Sequence, residues 1–380
     1  MPQPLPEPFR SDQRPVVVIF RGPVFNASET FVRAQTLGLR RYQPLVVGFE
    51  DKGHIPPELA GRVLIRPRAS EIEKFKPVLI HAHFGTDGLR ALPLPERLGV
   101  PLLTSLRGYD VSRSRAALLG SGRLSWMRYA LFQRRLMQRG DLFLAVSDAL
   151  RSQAVSHGFP ASRTFAHYNG VDLARFRPRA GGDAGSDSAT ILHVGRLVEK
   201  KGTETLLHAF AGVNAAHPKA RLTIVGDGPL RAKLRRLAVD LGIGQAVDFL
   251  DALPPEEVAE RMRQAAMLVA PSLTARDGDS EGLPNVVVEA MASGLPVVAS
   301  DHGGIAEAVA DGLSGFLIPE GAVELLSRHI GALLADPDLR ARMGTAGRAI
   351  ACEKFDIIQQ MAHLEERYDA LTRTKAIETR

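Results

Sequence analysis

The sequence has little cysteine and lacks the segments that mark secreted or membrane-spanning proteins. Among its 380 residues the one cysteine is Cys352, which excludes an internal disulfide and any metal site built from several cysteines. No apolar run approaches the roughly 20 residues that a bilayer-spanning helix needs. Residues 1–15 contain five prolines and no apolar core, unlike a signal peptide. We therefore expect a protein of the cytoplasm.

Tryptophan and tyrosine are also scarce, and the charges are divided unevenly along the chain. One Trp, five Tyr and no recognised RNA or DNA motif argue against a nucleic-acid-binding protein. Residues 1–187 carry 27 Lys and Arg against 16 Asp and Glu (net +11), whereas residues 188–380 carry 21 against 26 (net −5). The basic half predicts an anionic partner, for which we favour a membrane surface over nucleic acid.

The chain is long enough for two hydrophobic cores, and its pattern predicts two α/β domains. Residues 180–190 are small, polar and glycine-rich, as in a linker. On both sides, short β-branched runs alternate with longer amphipathic stretches, which is typical of parallel sheets covered by helices. We predict one Rossmann-like domain at 1–180, a second at 188–354, and a helical tail at 355–380.

Within these domains the pattern predicts six strands each and a smaller set of clear helices. The predicted strands are 16–20, 44–47, 63–65, 78–81, 102–105 and 142–146 in the first domain, and 190–194, 221–225, 247–249, 267–270, 297–299 and 315–317 in the second. The predicted helices are 28–39, opened by a Ser28 cap, 125–137, 203–215, 229–241, 255–265, 284–292, 322–334 and 355–374.

The strongest candidate site is SEGLPNVVVEAMAS at Ser280–Ser293, in which seven residues separate Glu281 from Glu289. Pro284 favours the first turn of a helix, so Glu281 is predicted just before the helix and Glu289 inside it. From the spacing alone, a surface glutamate followed by a glutamate that stabilises the helix dipole would be the preferred interpretation. The apolar surroundings favour a site instead, because a carboxylate there needs a partner or a ligand. The positive helix end would offer an anion the backbone N–H groups of Gly282, Leu283 and Asn285.

The second candidate, HVGRLVEKKG at 193–202, follows a predicted strand and precedes a predicted helix. Gly195 lets the backbone approach a ligand, Arg196 offers a planar fork for phosphate oxygens, and Lys201 adds a point charge. Two cations beside a helix start can neutralise a diphosphate. The alternative is a solvated charged turn, which we prefer for Lys200.

A third segment, TIVGDGP at 223–229, is a strand that ends in a glycine turn, as at the edge of a nucleotide pocket. In the order GRL…KKG, IVGDGP and SEGLPNVVVEAMASGLPVVASDHGG, these motifs resemble the retaining GT-B-fold glycosyltransferases of family 4, which carry an E-x7-E motif. The first half resembles them through SETFV, HAHFG, RGYD and NGVDLARFRP, and SETF is similar to the subgroup that assembles bacterial exopolysaccharide, capsule or lipopolysaccharide.

The resemblance implies a GT-B fold, in which two Rossmann-like domains face each other across a cleft and the C-terminal helix crosses back to the first domain. It also implies retaining hexosyl transfer from a nucleotide-diphosphate sugar to a glycan acceptor, for which we expect a lipid-linked form. Arg196 and Lys201 would hold the donor diphosphate, with Glu281 on the sugar hydroxyls. The donor-binding residues that it implies are Gly195, Gly226, Leu250, Gly282, Leu283, Pro284, Asn285 and, at the ribose, Glu289.

No cofactor is implied, and we predict no essential metal, although Asp277-Gly-Asp279 has the form of a metal-binding Asp-x-Asp motif. An enzyme of another class, a nucleotide-sugar epimerase on the same architecture, is the alternative. It would need acid–base carboxylates in the first domain, and the E-x7-E arrangement argues against it. A product that requires an acceptor would separate the two.

The first domain supplies candidate acceptor or sugar residues, and one of them departs from the family. The family commonly has histidine, which touches the donor sugar, where this chain has Arg107. Arg107 could instead meet an acidic sugar or the acceptor, or form an ion pair with Asp110, and His83 could face the cleft or be buried and satisfied. The candidates are Ser28, Glu29, His83, Arg107 and Asp110.

A basic stretch from Arg107 to Arg139 contains eight arginines and one acid. Its predicted helix resembles one that lies in a membrane interface, with aromatic and aliphatic groups in the headgroup region and arginines on lipid phosphates. The alternative is a core helix with a solvated basic face. We favour a peripheral location on the inner face of the cytoplasmic membrane. The apolar side chains concerned are Trp126, Tyr129, Leu131, Phe132 and Leu136.

Overall fold

The computed structural model describes residues 12–24, 29–51, 55–179 and 189–378. It divides into two compact units, one formed by Met1–Asn169 with Ile358–Arg380 and the other by Gly170–Ile357. The change of unit at Asn169 precedes the predicted linker, of which residues 180–188 lie outside the described residues.

The first unit is built on a seven-stranded sheet in which every neighbouring pair is parallel. Across the sheet the order is β5-β3-β1-β6-β7-β8-β9, and β2 and β4 form a separate parallel pair. Most of the central strand residues are buried, as expected when helices cover both faces. The strands are β1 (Val16–Phe20), β2 (Pro23–Val24), β3 (Gln43–Gly48), β4 (Glu50–Asp51), β5 (Val63–Ile65), β6 (Leu79–His83), β7 (Leu102–Leu106), β8 (Leu142–Ala145) and β9 (Thr164–Ala166).

Eight helices connect these strands within the described residues. Residue Glu29 is the N-cap of the first, while the expected Ser28 cap lies outside the described residues. The Ser147 hydroxyl accepts the Leu150 N–H (3.1 Å) and so caps the last. The helices are α1 (Thr30–Gly38), α2 (Ala69–Glu73), α3 (Gly85–Ala91), α4 (Pro93–Leu98), α5 (Tyr109–Ser112), α6 (Arg115–Leu119), α7 (Leu124–Arg139) and α8 (Asp148–Ser156).

The second unit repeats this architecture with a six-stranded parallel sheet, in the order β12-β11-β10-β13-β14-β15. Its strands are β10 (Thr190–Val194), β11 (Arg221–Val225), β12 (Val247–Leu250), β13 (Met267–Ala270), β14 (Val297–Ser300) and β15 (Gly315–Ile318). Its helices are α9 (Thr203–Ala216), α10 (Arg231–Asp240), α11 (Pro255–Gln264), α12 (Asn285–Ala292), α13 (Ile305–Ala308), α14 (Val323–Ala335) and α15 (Pro337–Lys354).

The C-terminal helix α16 (Ile357–Glu378) belongs almost entirely to the first unit. The hydroxyl of Tyr368 is 2.6 Å from His81 Nδ1, and one carboxylate oxygen of Glu365 accepts the backbone N–H groups of Arg40 (2.8 Å) and Arg41 (2.7 Å). The prediction of two Rossmann-like units, with a C-terminal helix that returns to the first, is therefore confirmed.

Helix α7 differs from the expectation drawn from its sequence. Tyr129 and Leu136 are fully buried in the core, and Trp126 is half-buried against Tyr109, so the expectation that all five apolar side chains meet lipid is wrong. The helix has a second apolar stripe that is exposed, because residues three and four apart share a face. Its exposed apolar residues are Leu124, Met127, Leu131 and Phe132, and its exposed basic residues are Arg128, Arg134, Arg135 and Arg139.

Candidate active site

The strand order of each sheet reverses at one point, which in open parallel sheets is where ligands bind, beyond the carboxyl ends of the strands. In the second unit this point lies between β10 and β13, because β10 pairs with β11 on its other side. The loop after β10 carries Gly195, Arg196 and Lys201, and the chain after β13 leads to Glu281. The two strongest sequence motifs therefore follow neighbouring strands.

Lys201 and Glu281 join these two loops through an ion pair. The Lys201 Nζ lies 3.1 Å from Glu281 Oε1, although the geometry is not that of a directed hydrogen bond. Burial by itself would raise the pKa of Glu281, but the charges of Lys201 and Lys200 outweigh it and lower the pKa to about 2. Glu281 is therefore ionised at neutral pH and holds Lys201 at the switch point.

Lys200 is a second cation of this cluster, not a solvated surface residue. Its Nζ is 3.1 Å from Asp279 Oδ1, 3.3 Å from the Ser280 carbonyl oxygen and 3.6 Å from Glu281 Oε1. The preference for a solvated Lys200 was wrong, because the 277–281 loop folds over the short 3-10 turn at Glu199–Lys201.

The loop that carries Glu281 is also held from behind by His302 and Glu320, which the sequence did not indicate. The Glu281 backbone N–H donates to His302 Nε2 (3.0 Å), so the ring proton lies on Nδ1, which donates to Glu320 Oε1 (2.6 Å). Glu320 also accepts the backbone N–H of Thr274 (2.8 Å). Burial alone would raise the pKa of Glu320, but the bonds from Thr274 and His302 lower it.

Glu289 lies in α12, as predicted, and the helix begins at Asn285 with Pro284 as its N-cap. The side chain is only partly exposed, and burial raises the pKa of Glu289 to about 7 against the opposing charges of Arg175 and Lys201. In contrast to Glu281, this carboxyl group changes its charge within the physiological pH range.

Close backbone packing shapes the turn that carries Arg196. Gly226, after β11, has a φ of +139°, and a Cβ there would lie 2.0 Å from the Gly195 carbonyl oxygen, so only glycine fits. Arg196 itself is exposed, and among the described residues it forms no ion pair.

Arg231, another residue that the sequence reasoning missed, joins the two turns expected near the base. Its Nη1 donates to the carbonyl oxygens of Gly226 (2.8 Å) and Leu250 (3.1 Å). The backbone N–H of Gly226 in turn donates to the Leu250 carbonyl oxygen (3.2 Å). Gly226 and Leu250 are thus brought together at the carboxyl ends of β11 and β12.

In the first unit the order reverses between β1 and β6, and His83 is the last residue of β6. The Arg107 guanidinium contacts His83, Gln35 and Asn169, and burial lowers the pKa of Arg107 to about 10. The alternative of an Arg107–Asp110 side-chain ion pair is wrong. The Asp110 carboxylate instead accepts the backbone N–H groups of Gly85, Arg107 and Gly108.

Of the remaining first-domain candidates, Glu29 is paired and Ser28 lies outside the described residues. Both oxygens of Glu29 accept from Arg21 (2.8 and 2.6 Å), whose Nη1 also contacts Asp87 (2.5 Å). Across the described ranges there is no helix with the length and apolar content to cross a bilayer, and no group of three or more His, Cys, Asp or Glu side chains is arranged to bind a metal.

Two family models together match nearly the whole chain. The model described as Glycosyltransferase Family 4 matches residues 15–175, and the model described as Glycosyl transferases group 1 matches residues 177–350. The first match ends at residue 175 and the second begins at residue 177, a few residues after the boundary between the two structural units at Asn169.

Among curated proteins, the chain is 33% identical over 301 residues to the putative colanic acid biosynthesis glycosyltransferase WcaL of Escherichia coli, covering 78% of this chain and 68% of that one. It is 34% identical over 295 residues to a GDP-mannose-dependent alpha-(1-6)-phosphatidylinositol monomannoside mannosyltransferase of Mycolicibacterium smegmatis, covering 74% of each. Among solved structures, Anabaena HepE in complex with UDP and glucose has a TM-score of 0.77 at 21% identity, over 94% of this chain and 100% of that one, which shows a shared fold.

Proposed function

The chain belongs to the family 4 glycosyltransferases, and on that premise we propose that it transfers a sugar from a nucleotide-diphosphate sugar to a glycan acceptor, with retention of the anomeric configuration. We further propose a role in a bacterial surface polysaccharide. Relatives named for colanic acid and amylovoran biosynthesis support this role, and structural neighbours solved with UDP or UDP-glucose support the donor class.

The main support for the proposal is that Lys201, which is fixed by an ion pair, and Arg196, which is exposed, lie in one loop at the switch point of the second sheet. Lys201 is fixed by Glu281 (3.1 Å), whereas Arg196 is exposed and has no ion pair among the residues that the structure describes. A diphosphate leaving group gains negative charge as the glycosidic bond breaks. Fixed positive charge that is present before the reaction stabilises that change without reorganisation.

In the proposed reaction the bond between the anomeric carbon and the diphosphate oxygen breaks, and the acceptor oxygen bonds to the same face of that carbon. The acceptor proton passes to the departing phosphate oxygen. Arg196 and Lys201 hold the diphosphate, while ionised Glu281 accepts hydrogen bonds from sugar hydroxyls beside the backbone of Gly282, Leu283 and Asn285. No essential metal is part of this proposal.

Glu289 is proposed to hold the ribose of the donor. A carboxylate accepts two hydrogen bonds in one plane, which suits the two hydroxyls of a ribose. Gly226 and Leu250, which Arg231 holds together, are proposed to border the base. We assign the donor to the second unit and the acceptor to the first.

The exposed face of α7 supports a lipid-linked acceptor at an anionic membrane surface. Leu124 is 80% exposed and Leu131 is 53% exposed, beside the exposed arginines Arg128, Arg134 and Arg135. Apolar side chains flanked by arginines can enter the headgroup region while the cations meet lipid phosphates. We therefore propose peripheral binding to the inner face of the cytoplasmic membrane.

The proposal is tested first by a thermal-shift panel of UDP-, GDP- and ADP-sugars, because a ligand that binds only the folded state raises its melting temperature. The donor found in this way is then incubated with lipid-extracted acceptors. We expect a glycosylated product only when the acceptor is present, with the anomeric configuration of the donor retained by NMR. Isomerised nucleotide sugar formed without an acceptor would instead identify an epimerase.

A further inference from the structure

The first unit contains a cation that has no counter-ion among the described residues. The guanidinium of Arg107 donates to three neutral acceptors: Asn169 Oδ1, Gln35 Oε1 (2.8 Å) and His83 Nδ1 (2.9 Å). No carboxylate of the described residues lies within ion-pair distance of it. Its guanidinium carbon also lies 4.5 Å from the centre of the Phe31 ring.

Arg21, in the same unit, shows the opposite arrangement. The Nε and Nη2 of its guanidinium bind both oxygens of Glu29, and its Nη1 binds Asp87, so two carboxylates offset one cation. This fully paired arginine follows β1, while the unpaired Arg107 follows β7. At this edge of the sheet, one arginine thus has carboxylate partners and the other has neutral acceptors among the described residues.

The contact with Arg107 also fixes the proton of His83. Because arginine only donates, His83 Nδ1 must accept, and the ring proton lies on Nε2. His83 is 1% exposed, and its Nε2 has no hydrogen-bond partner among the described residues. The Nε of Arg107 is likewise buried without an acceptor. Two adjoining side chains thus hold buried donors that lack acceptors.

A buried charge without a partner and buried donors without acceptors are each costly, and such groups call for a partner such as a ligand, an ion or an ordered water. A group that is anionic and offers more than one acceptor oxygen would satisfy both the cation and the two donors. A carboxylate meets both conditions, and its plane matches a guanidinium. Arg107 as a whole residue is only partly buried.

We propose that Arg107 and His83 bind a carboxylate carried by a sugar of the substrate, so that the enzyme acts on an acidic sugar such as a uronic acid. This inference rests on the proposed function, because that function assigns the donor phosphates to Arg196 and Lys201 and leaves a sugar as the source of the anion. Because the proposed function assigns the donor to the second unit, the carboxylate is that of the acceptor, and the donor arm of the experiment is the control.

Calorimetry on the full chain compares matched acidic and neutral ligands. The donor arm pairs UDP-glucuronic acid with UDP-glucose and GDP-mannuronic acid with GDP-mannose. The acceptor arm, in the presence of UDP or GDP, pairs an oligosaccharide that ends in glucuronic acid with one that ends in glucose. In the acceptor arm we expect the acidic ligand to bind about 10-fold or more tightly, the scale of one charge-assisted hydrogen bond, with no such preference in the donor arm.

Two variants connect that preference to the site. Arg107→Gln removes the charge, and His83→Phe keeps a flat ring while it removes the Nε2 donor; each should reduce the preference for the acidic ligand and leave affinity for bare UDP or GDP unchanged. Arg33→Gln, the same substitution at an exposed arginine of α1, is the matched control and should change nothing. Melting temperatures identify any variant that fails to fold, and the other variant then decides.

Equal binding of acidic and neutral ligands in the acceptor arm would overturn the carboxylate site, as would a preference that survives both variants. In those cases the proposed function would still be supported if the protein binds bare nucleotide and if changes at Arg196 and Glu289 weaken that binding. A folded wild-type protein that binds no nucleotide or nucleotide sugar would overturn the proposed function itself, and the carboxylate site with it.

Discussion

The carboxyl edges of the two sheets differ in the pairing and the exposure of their positively charged side chains. In the second unit, Lys201 is paired with Glu281 while the neighbouring Arg196 is exposed and forms no ion pair among the described residues. In the first unit, Arg21 is offset by two carboxylates, while Arg107 is surrounded by neutral acceptors. The second edge offers charge at the surface of a loop, whereas the first edge keeps it inside the protein.

This difference suits two kinds of ligand chemistry. Exposed, preorganised cations fit phosphate groups whose charge grows during a reaction. A buried cation with unfilled donors fits a fixed substituent that must be recognised and distinguished from a neutral one. We therefore propose leaving-group stabilisation as the role of the second unit and substrate selection as the role of the first.

The largest expected effect comes from removing the cations of the second edge. Arg196→Ala or Lys201→Ala should lower kcat by about 10²-fold or more, the scale of losing one preorganised electrostatic group, while the protein stays folded. Lys219→Ala, at an exposed lysine of the same unit, should leave kcat unchanged. Wild-type rates in both variants would remove these residues from the mechanism.

The next effect tests whether only the first unit meets a membrane. Replacing Arg128, Arg134 and Arg135 with Gln should weaken binding to anionic vesicles by about 10²-fold, because each arginine near such a surface contributes about 1 kcal/mol. The matched control changes three exposed cations of the second unit, Lys219, Arg328 and Arg342, to Gln. Equal losses in the two triple variants, or wild-type binding that is no tighter on anionic than on neutral vesicles, would contradict the assignment.

A smaller effect tests the support behind Glu281. His302→Ala removes the acceptor of the Glu281 backbone N–H, and we expect kcat to fall by about 10-fold with little change in affinity for bare nucleotide. Glu320→Gln, which keeps the shape and loses the charge, should have a weaker effect in the same direction. His302→Asn retains an acceptor oxygen and should recover part of the loss. An unchanged kcat in His302→Ala would show that the loop holds its position without this histidine.

The smallest effect is a pH dependence that belongs to the second unit alone. In the free protein the pKa of Glu289 is raised to about 7, and ribose hydroxyls donate to its ionised form, so nucleotide binding favours loss of the proton. Affinity for UDP or GDP should therefore rise as the pH increases from 6 to 8, by up to about 10-fold, and level off above it. Glu289→Gln should bind more weakly and lose this dependence. A dependence that persists in Glu289→Gln would place the titrating group elsewhere.

The two units also differ in how much of them could be predicted from sequence. In the second unit β10, β11 and β13 have the predicted bounds, because each is a buried apolar run between clear turns. Helix α15 was missed, since Gly344 and Gly347 interrupt its pattern. A Cβ at Gly344 would lie 2.0 Å from the Gly294 carbonyl oxygen, so this glycine serves close packing that no local pattern reveals. In the first unit the three-residue strand β9 (TFA) was missed, whereas the equally short β5 (VLI) was predicted from its apolar run.

The candidate residues divide in the same way. Gly195, Arg196, Lys201 and Glu281 lie in two short motifs, so their local spacing carried the prediction. By contrast, the contacts of Arg107 come from residues 24 to 72 positions away in the chain, and the pair behind Glu281 lies 21 and more positions away. Only the tertiary fold brings such residues together, and the DHGG segment that contains His302 gave no sign of its role.

The other proposed roles depend on binding of the nucleotide diphosphate at the carboxyl edge of the second sheet. Calorimetric titration of UDP and GDP into the wild type, Arg196→Ala, Lys201→Ala and Arg107→Gln tests this assignment without knowledge of the sugar or the acceptor. We predict one nucleotide bound per chain, with affinity reduced in the first two variants and retained in Arg107→Gln. Undiminished affinity in both Arg196→Ala and Lys201→Ala, or a loss confined to Arg107→Gln, would contradict the account.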